Sequence, residues 1–236
     1  MHENIAVVFQ RAEEILAELE GDYRHALKKK EVSARTKQLC HDLFEKLRSG
    51  LDRSARRYFE LHVSPSLSPE DREAAAIYFP VATDEHAFSS IMGRWRWKSV
   101  KDKHAGLAGY LLSLQPFINS DNRWLEILNN LSNEGKHIDL APQTRREERQ
   151  VTVSRPGGGS VSYGPGVTFG GGVSIMGVPI DPRTQRVMPN SVLTENIVVW
   201  VDFTFEKHGV SAITFAREAL AKSKAIAQEM SSTFQI

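Results

Sequence analysis

The sequence predicts an α+β protein: an N-terminal bundle of long antiparallel helices, then a small antiparallel β-sheet, closed by a C-terminal helix. Residues 3–62 repeat apolar groups at helical steps of three and four. Past Pro142 the pattern turns into short alternating or β-branched runs between glycine-rich turns, and residues 210–230 return to helical spacing. These observations divide the chain into a helical part, 1–145, and a β-rich part with the terminal helix, 146–236, packed with the first as one unit.

Taken in order, Ile5, Val8, Ala12, Ile15, Leu16, Leu19, Tyr23 and Leu27 form the stripe of a first helix over 3–30, with Lys28, Lys29 and Lys30 at its negative end. Gly21 falls inside that stripe and is a place for a kink. Ser33 caps a second helix running to about His62 on Leu39, Leu43, Phe44, Leu47, Leu51, Ala55 and Tyr58. The short link between the two predicts an antiparallel hairpin. Pro65 and Pro69 end it, a short helix follows near 70–77, and Thr83 caps another through Met92. Leu107 to Leu114 resumes a helix that Pro116 stops, and Ser120 or Asp121 caps a helix with Trp124, Leu128 and Leu131 inward. RQVTVSR, SVSYG, GVTF, VSIMGVPI and ENIVVWVDFTFEK read as strands, the last with Ile197, Val199, Val201, Phe203 and Phe205 on one face. Val210, Ile213, Leu220, Ala227 and Met230 mark the terminal helix.

Thirty Lys and Arg against 29 Asp and Glu leave a formal charge of +1, which is no overall electrostatic footprint for nucleic acid. The single cysteine, Cys40, rules out an intrachain disulfide and fits a reducing compartment. No apolar run approaches the roughly 20 residues of a membrane span. The opening MHENIAVVF has neither a basic start nor a cleavage pattern, so the expected location is the cytoplasm. No membrane partner, metal or cofactor is expected: one cysteine cannot supply a thiolate pair, and no HExxH is present. The runs Gly157–Gly159 and Gly170–Gly172 lack a following Lys-Ser/Thr and a helix, so they read as hairpin turns.

RWRWKSVKDKH at 94–104 mixes cations with indoles. It reads either as a nucleic-acid surface or as a loop anchored by Trp95 and Trp97, and the anchor is the favoured reading. The densest polar cluster is Asn133-Glu134-Gly135-Lys136-His137. On a helix Asn133 and His137 lie four apart with Lys136 beside them, on a face that can meet Arg48 and Asp52, themselves four apart. His137 can act as general base while Lys136 and Arg48 hold a phosphate. Equally, Asn133 and His137 can tie a helix end to backbone, with Arg48–Asp52 an internal ion pair.

LFEKLRSGLDRSARRYFE, IYFP, LQPF and LNNLSNEGKH together resemble a widespread group of uncharacterised bacterial proteins with an LRSALD, FP, QPY and LsN..KH pattern and a β-rich tail. The chain departs from it with Gly50 for Ala and Phe117 for Tyr, and with Ile138 where the pattern often has Arg, which removes a cation. The helical half also resembles the HEPN superfamily of helical bundles, many of them RNases of toxin and defence systems. That likeness implies an Arg-x4–6-His motif. Arg35…His41, Arg56…His62 and Arg57…His62 fit it formally, against about two matches expected by chance. His137 has no Arg at that spacing, and position 133 is Asn. The function expected is a non-catalytic binding or sensing module of HEPN-like type, with Asn133, Lys136 and His137 at its surface and Arg48 and Asp52 in the groove. The alternative is a metal-independent endoribonuclease using His137, with RNA as partner. Two long amphipathic helices are compatible with a homodimer, and no small-molecule ligand is identified.

Overall fold

A computed structural model describes residues 1–29, 32–96, 104–137, 143–164 and 166–236, with side chains described for all of these except 24–29, 135–137, 143–149 and 198–202. The expected roles of Leu27, Lys28–Lys30, Trp97, Val199 and Val201 lie outside the described residues or side chains. The chain divides into two units, residues 1–143 with 205–236, and residues 144–204.

The first unit is built on α1 (Glu3–Lys29) and α2 (Ala34–Tyr58). Arg53 bonds to the Asn4 carbonyl, Gly50 faces Phe9, and Ser33 and Thr36 bond to Asp22, so the two helices run antiparallel. Helix α1 continues through Gly21. Ser33 caps α2, its Oγ accepting from the Thr36 amide at 2.9 Å. A single π turn (Phe59–Val63) and a 3-10 turn (Ser64–Ser66) carry the chain to α3 (Pro69–Ala74). After α4 (Glu85–Arg94) and α5 (Ala105–Ser113), α6 (Arg123–His137) carries the Asn133–His137 cluster in its last turns. A short strand (Val210–Ser211) leads into α7 (Ala212–Phe234). Helix α7 lies antiparallel to α1, through Lys224–Glu13 and Arg217–Glu20, and alongside α2, where Phe44 meets Phe215 and Tyr58 meets Phe234. Helix α2 is therefore the centre, packed by α1, α6 and α7, and its Leu43, Leu47, Leu51 and Ala55 are fully buried.

Three helical expectations shift. The helix expected over 70–77 stops at Ala74, because Ala75 turns extended and the chain stays extended to the Phe79-Pro80 pair. The cap of α4 is Asp84 rather than Thr83, its carboxylate accepting from the Ala87 amide at 2.8 Å. The terminal helix, placed by the sequence with the strands, packs its Phe215, Ala216, Ala219 and Met230 into the helical core.

In the second unit β1 (Gln143–Ser154) pairs antiparallel with β2 (Ser160–Tyr163) and is flanked on its other edge by β6 (Thr194–Phe205). A smaller sheet has the order β3 (Ser174–Ile175), β4 (Val178–Asp181), β5 (Arg186–Val187). VSIMGVPI, expected as one strand, is the β3–β4 hairpin: Met176 and Gly177 both take positive φ, 50° and 86°, the pair a tight two-residue turn requires. GVTF at 166–169 is not a strand; Gln185 instead takes the amide and carbonyl of Phe169. The unit's core is Val151, Val153, Tyr163, Ile175, Ile180 and Leu193.

Candidate functional site

Residues 75–82 run extended between helices, where no neighbouring strand completes their backbone bonds. The Ala76 amide donates to the Arg94 carbonyl at 3.1 Å, and side chains take up the groups that follow. Asp52 Oδ1 accepts from the Phe79 amide at 2.8 Å, and Arg48 Nη2 donates to the Phe79 carbonyl at 2.6 Å. Being one turn apart on α2, the two side chains also pair with each other at 3.2 Å. Gln115, just past α5, donates to the Pro80 carbonyl at 3.1 Å and accepts from the Ala82 amide at 2.9 Å. Trp95, fully buried, donates from Nε1 to the Tyr78 carbonyl at 3.2 Å. Arg48, Asp52, Gln115 and Trp95 thus stand in for a β ladder.

Beside this clamp opens a cleft of about 480 Å³ lined by α2 residues Glu45, Lys46, Arg48, Ser49, Asp52, Arg53 and Arg56, with Ile77 and Tyr78 from the extended segment and Ser132 from α6. Its four cations outnumber its two carboxylates. Arg56 is paired with Glu60 at 3.0 Å, whereas Arg48 is held with only 13% of its side chain exposed. Burial pushes the Arg48 guanidinium below its ordinary value, and Asp52 opposes that shift. Arg48 uses Nη2 for both of its partners; its Nη1 is closed from solvent and has no hydrogen-bond partner among the described residues. Ser132 Oγ, 1% exposed, is likewise without one among them. A buried donor left unmade costs about 1–3 kcal/mol, so the wall of the cleft holds two unmet bonds.

No protein-family model, curated protein or solved structure gave a match to the chain. The four stretches that suggested a family resemblance nevertheless meet here. LRSGLD supplies Arg48 and Asp52, IYFP is the clamped segment, LQPF supplies Gln115, and LNNLSNEGKH supplies Ser132.

Of the residues singled out from sequence, Arg48 and Asp52 come together in the cleft. Asn133 is exposed and is not among the lining residues; its neighbour Ser132 is. The side chains of Lys136 and His137 lie outside those described. Glu134 pairs with Lys207. Near it His208 is held below its ordinary value, mainly by burial, with Lys207 and Arg123 adding to the shift and Glu134 and Glu126 opposing it. Ser132, Lys46, Ser49, Arg53, Tyr78 and Gln115 were not singled out. The sequence signal for Ser132 is a hydroxyl one residue after Leu131 and four after Leu128, inside an apolar register.

Trp95 of the 94–104 segment is an anchor, as the favoured reading expects, while 97–103 lie outside the described residues. The glycine runs are turns: the Gly158 amide donates to the Arg155 carbonyl at 2.9 Å between β1 and β2, and Gly172 takes φ 82° ahead of β3. Among the described residues no three His, Cys, Asp or Glu gather as a metal site would need, and no helix is long and apolar enough to cross a membrane.

Proposed function

We propose that the protein is a non-catalytic binding module of HEPN-like helical type, and that the cleft between α2 and α6 takes a small oxyanion. The observation that carries this is the lining of the cleft, in which Lys46, Arg48, Arg53 and Arg56 stand against Glu45 and Asp52. Lysine and arginine side chains can only donate, so their ligand is an acceptor. A phosphate or carboxylate oxygen bonded to the exposed Arg53 gains the strength of a charge-assisted bond. Lys46, exposed at the mouth, adds charge without being tied to the fold. Binding rather than catalysis is favoured because Asp52, the carboxylate beside these donors, already accepts from the Phe79 amide and pairs with Arg48. The last turns of α6, with Asn133, Lys136 and His137, follow directly on Ser132.

The test is calorimetric titration of the wild type, Lys46→Ala and Arg53→Ala with pyrophosphate, alongside thermal melts. Wild type is expected to bind, and each variant to bind several-fold more weakly. Ser132→Ala should melt no lower than wild type, since it removes an unmet hydroxyl rather than a bond. Unchanged affinity in folded Lys46→Ala and Arg53→Ala would sink the proposal. RNA cleavage by the wild type that is lost in a folded His137→Ala variant would replace the proposal with the endoribonuclease.

A further inference from the structure

We infer that the ligand of this cleft is a mononucleotide, its phosphates on the exposed lining cations Lys46 and Arg53 and its base stacked on Tyr78; this rests on the oxyanion reading and narrows it. In the extended segment Ile77 and Phe79 are 6% and 1% exposed, while Tyr78 between them is 58% exposed and lines the cleft. An aromatic side chain carries a large apolar surface, and Tyr78 leaves most of its own in water. The backbone that follows its Cα is fixed: the Tyr78 carbonyl accepts from Trp95 Nε1, the Phe79 amide of the same peptide donates to Asp52, and the Phe79 carbonyl accepts from Arg48. A ring on so rigid a mount loses little freedom when a planar partner lies on it, which is what a stacking platform needs.

The remaining lining residues fit the rest of a nucleotide. Arg48 is paired with Asp52 and Arg56 with Glu60, which leaves Lys46 and Arg53 of the lining to meet a ligand's negative charges. Glu45 offers an acceptor for ribose hydroxyls, and Ser49 a hydroxyl for phosphate. About 480 Å³ falls within the range of small-molecule sites. A nucleic-acid strand fits less well, because Glu45 and Asp52 interrupt the cations and Arg56 is paired with Glu60, whereas a strand tracks a continuous positive groove.

The experiment compares pyrophosphate, ADP, GDP, CDP, UDP and a short oligoribonucleotide on wild type, Tyr78→Ala, Tyr78→Leu and Tyr78→Phe, with melts confirming the fold. At least one nucleoside diphosphate is expected to bind about ten-fold or more tightly than pyrophosphate, the scale of one base on one ring. Tyr78→Ala and Tyr78→Leu should erase that advantage while leaving pyrophosphate unchanged, and Tyr78→Phe should keep it. Equal affinity for pyrophosphate and every diphosphate, or an advantage that survives Tyr78→Leu, overturns the nucleotide and leaves the oxyanion reading standing. Tighter binding of the oligoribonucleotide overturns it in favour of RNA. Binding of none of these compounds removes both.

Discussion

At the scale of single residues, Gly50 shows how one missing methyl is built into the core. A Cβ there would lie 2.7 Å from Cζ and 2.9 Å from Cε2 of Phe9, and that ring is 1% exposed. Alanine in a helix interior ordinarily gains about 1 kcal/mol over glycine. Overpacking against a ring with nowhere to go costs about 1–3 kcal/mol. Gly50→Ala should therefore lower the urea midpoint, and Phe9→Leu in the same chain should restore part of it. A raised midpoint for Gly50→Ala alone would show that Phe9 yields. The departure from Ala at position 50 carries no sign of this in sequence, because the pattern records only the position; what fixes the size there is a ring on another helix. Ser132 was obscure for a related reason, since a helical serine gives no sign of whether its hydroxyl has a partner.

At the scale of elements, the informative comparison is between two ion pairs of identical spacing, one within α2 and one running from α2 into the π turn that follows it. Arg56–Glu60 is exposed at 57% and 50%, and a pair of that kind contributes about 0–1 kcal/mol. Arg48–Asp52 is mostly buried and holds the Phe79 peptide at both ends. Asp52→Ala leaves a buried guanidinium and an unmet amide, so a loss of about 3–5 kcal/mol is expected by urea unfolding. Gln115→Ala, which strands the Pro80 carbonyl and the Ala82 amide, should cost about 2–4 kcal/mol. Glu60→Ala is the control and should change little. A loss below about 1 kcal/mol for Asp52→Ala would mean that the extended segment is held by its apolar side chains alone. Sequence periodicity revealed the Arg48–Asp52 pair but not its partner, because a bond from a side chain to a backbone group 27 to 31 residues away leaves no repeat to read. The helix stripes were legible for the opposite reason, each being a local pattern of burial.

At the scale of the whole molecule, the two units differ in what protects them. The helical unit buries a continuous apolar core on α1, α2, α4, α5, α6 and α7, whereas the strand unit has the small cluster around Val151, Val153, Tyr163, Ile175, Ile180 and Leu193. Opening the smaller unit exposes less apolar surface and so requires less free energy. In hydrogen exchange, the amides of Val151 and Val153 should exchange well before those of Leu47 and Leu51. Equal protection would mean that both units open only when the whole chain unfolds. The units themselves were only half legible. The glycine turns and β-branched runs marked the strands, but an apolar stripe such as Phe215, Ala219 and Met230 does not say which core it enters.

That division has a consequence for the chain during synthesis. Helices α1, α2 and α6 leave the ribosome first, yet the face of α2 that α7 covers stays open until residues 144–204 and then α7 have emerged. At about 5–20 residues per second, Phe44 waits for Phe215 for roughly 10–30 seconds. During that interval the nascent helical unit displays an apolar groove shaped for one particular helix, which makes it a natural client for chaperones that shield such surfaces.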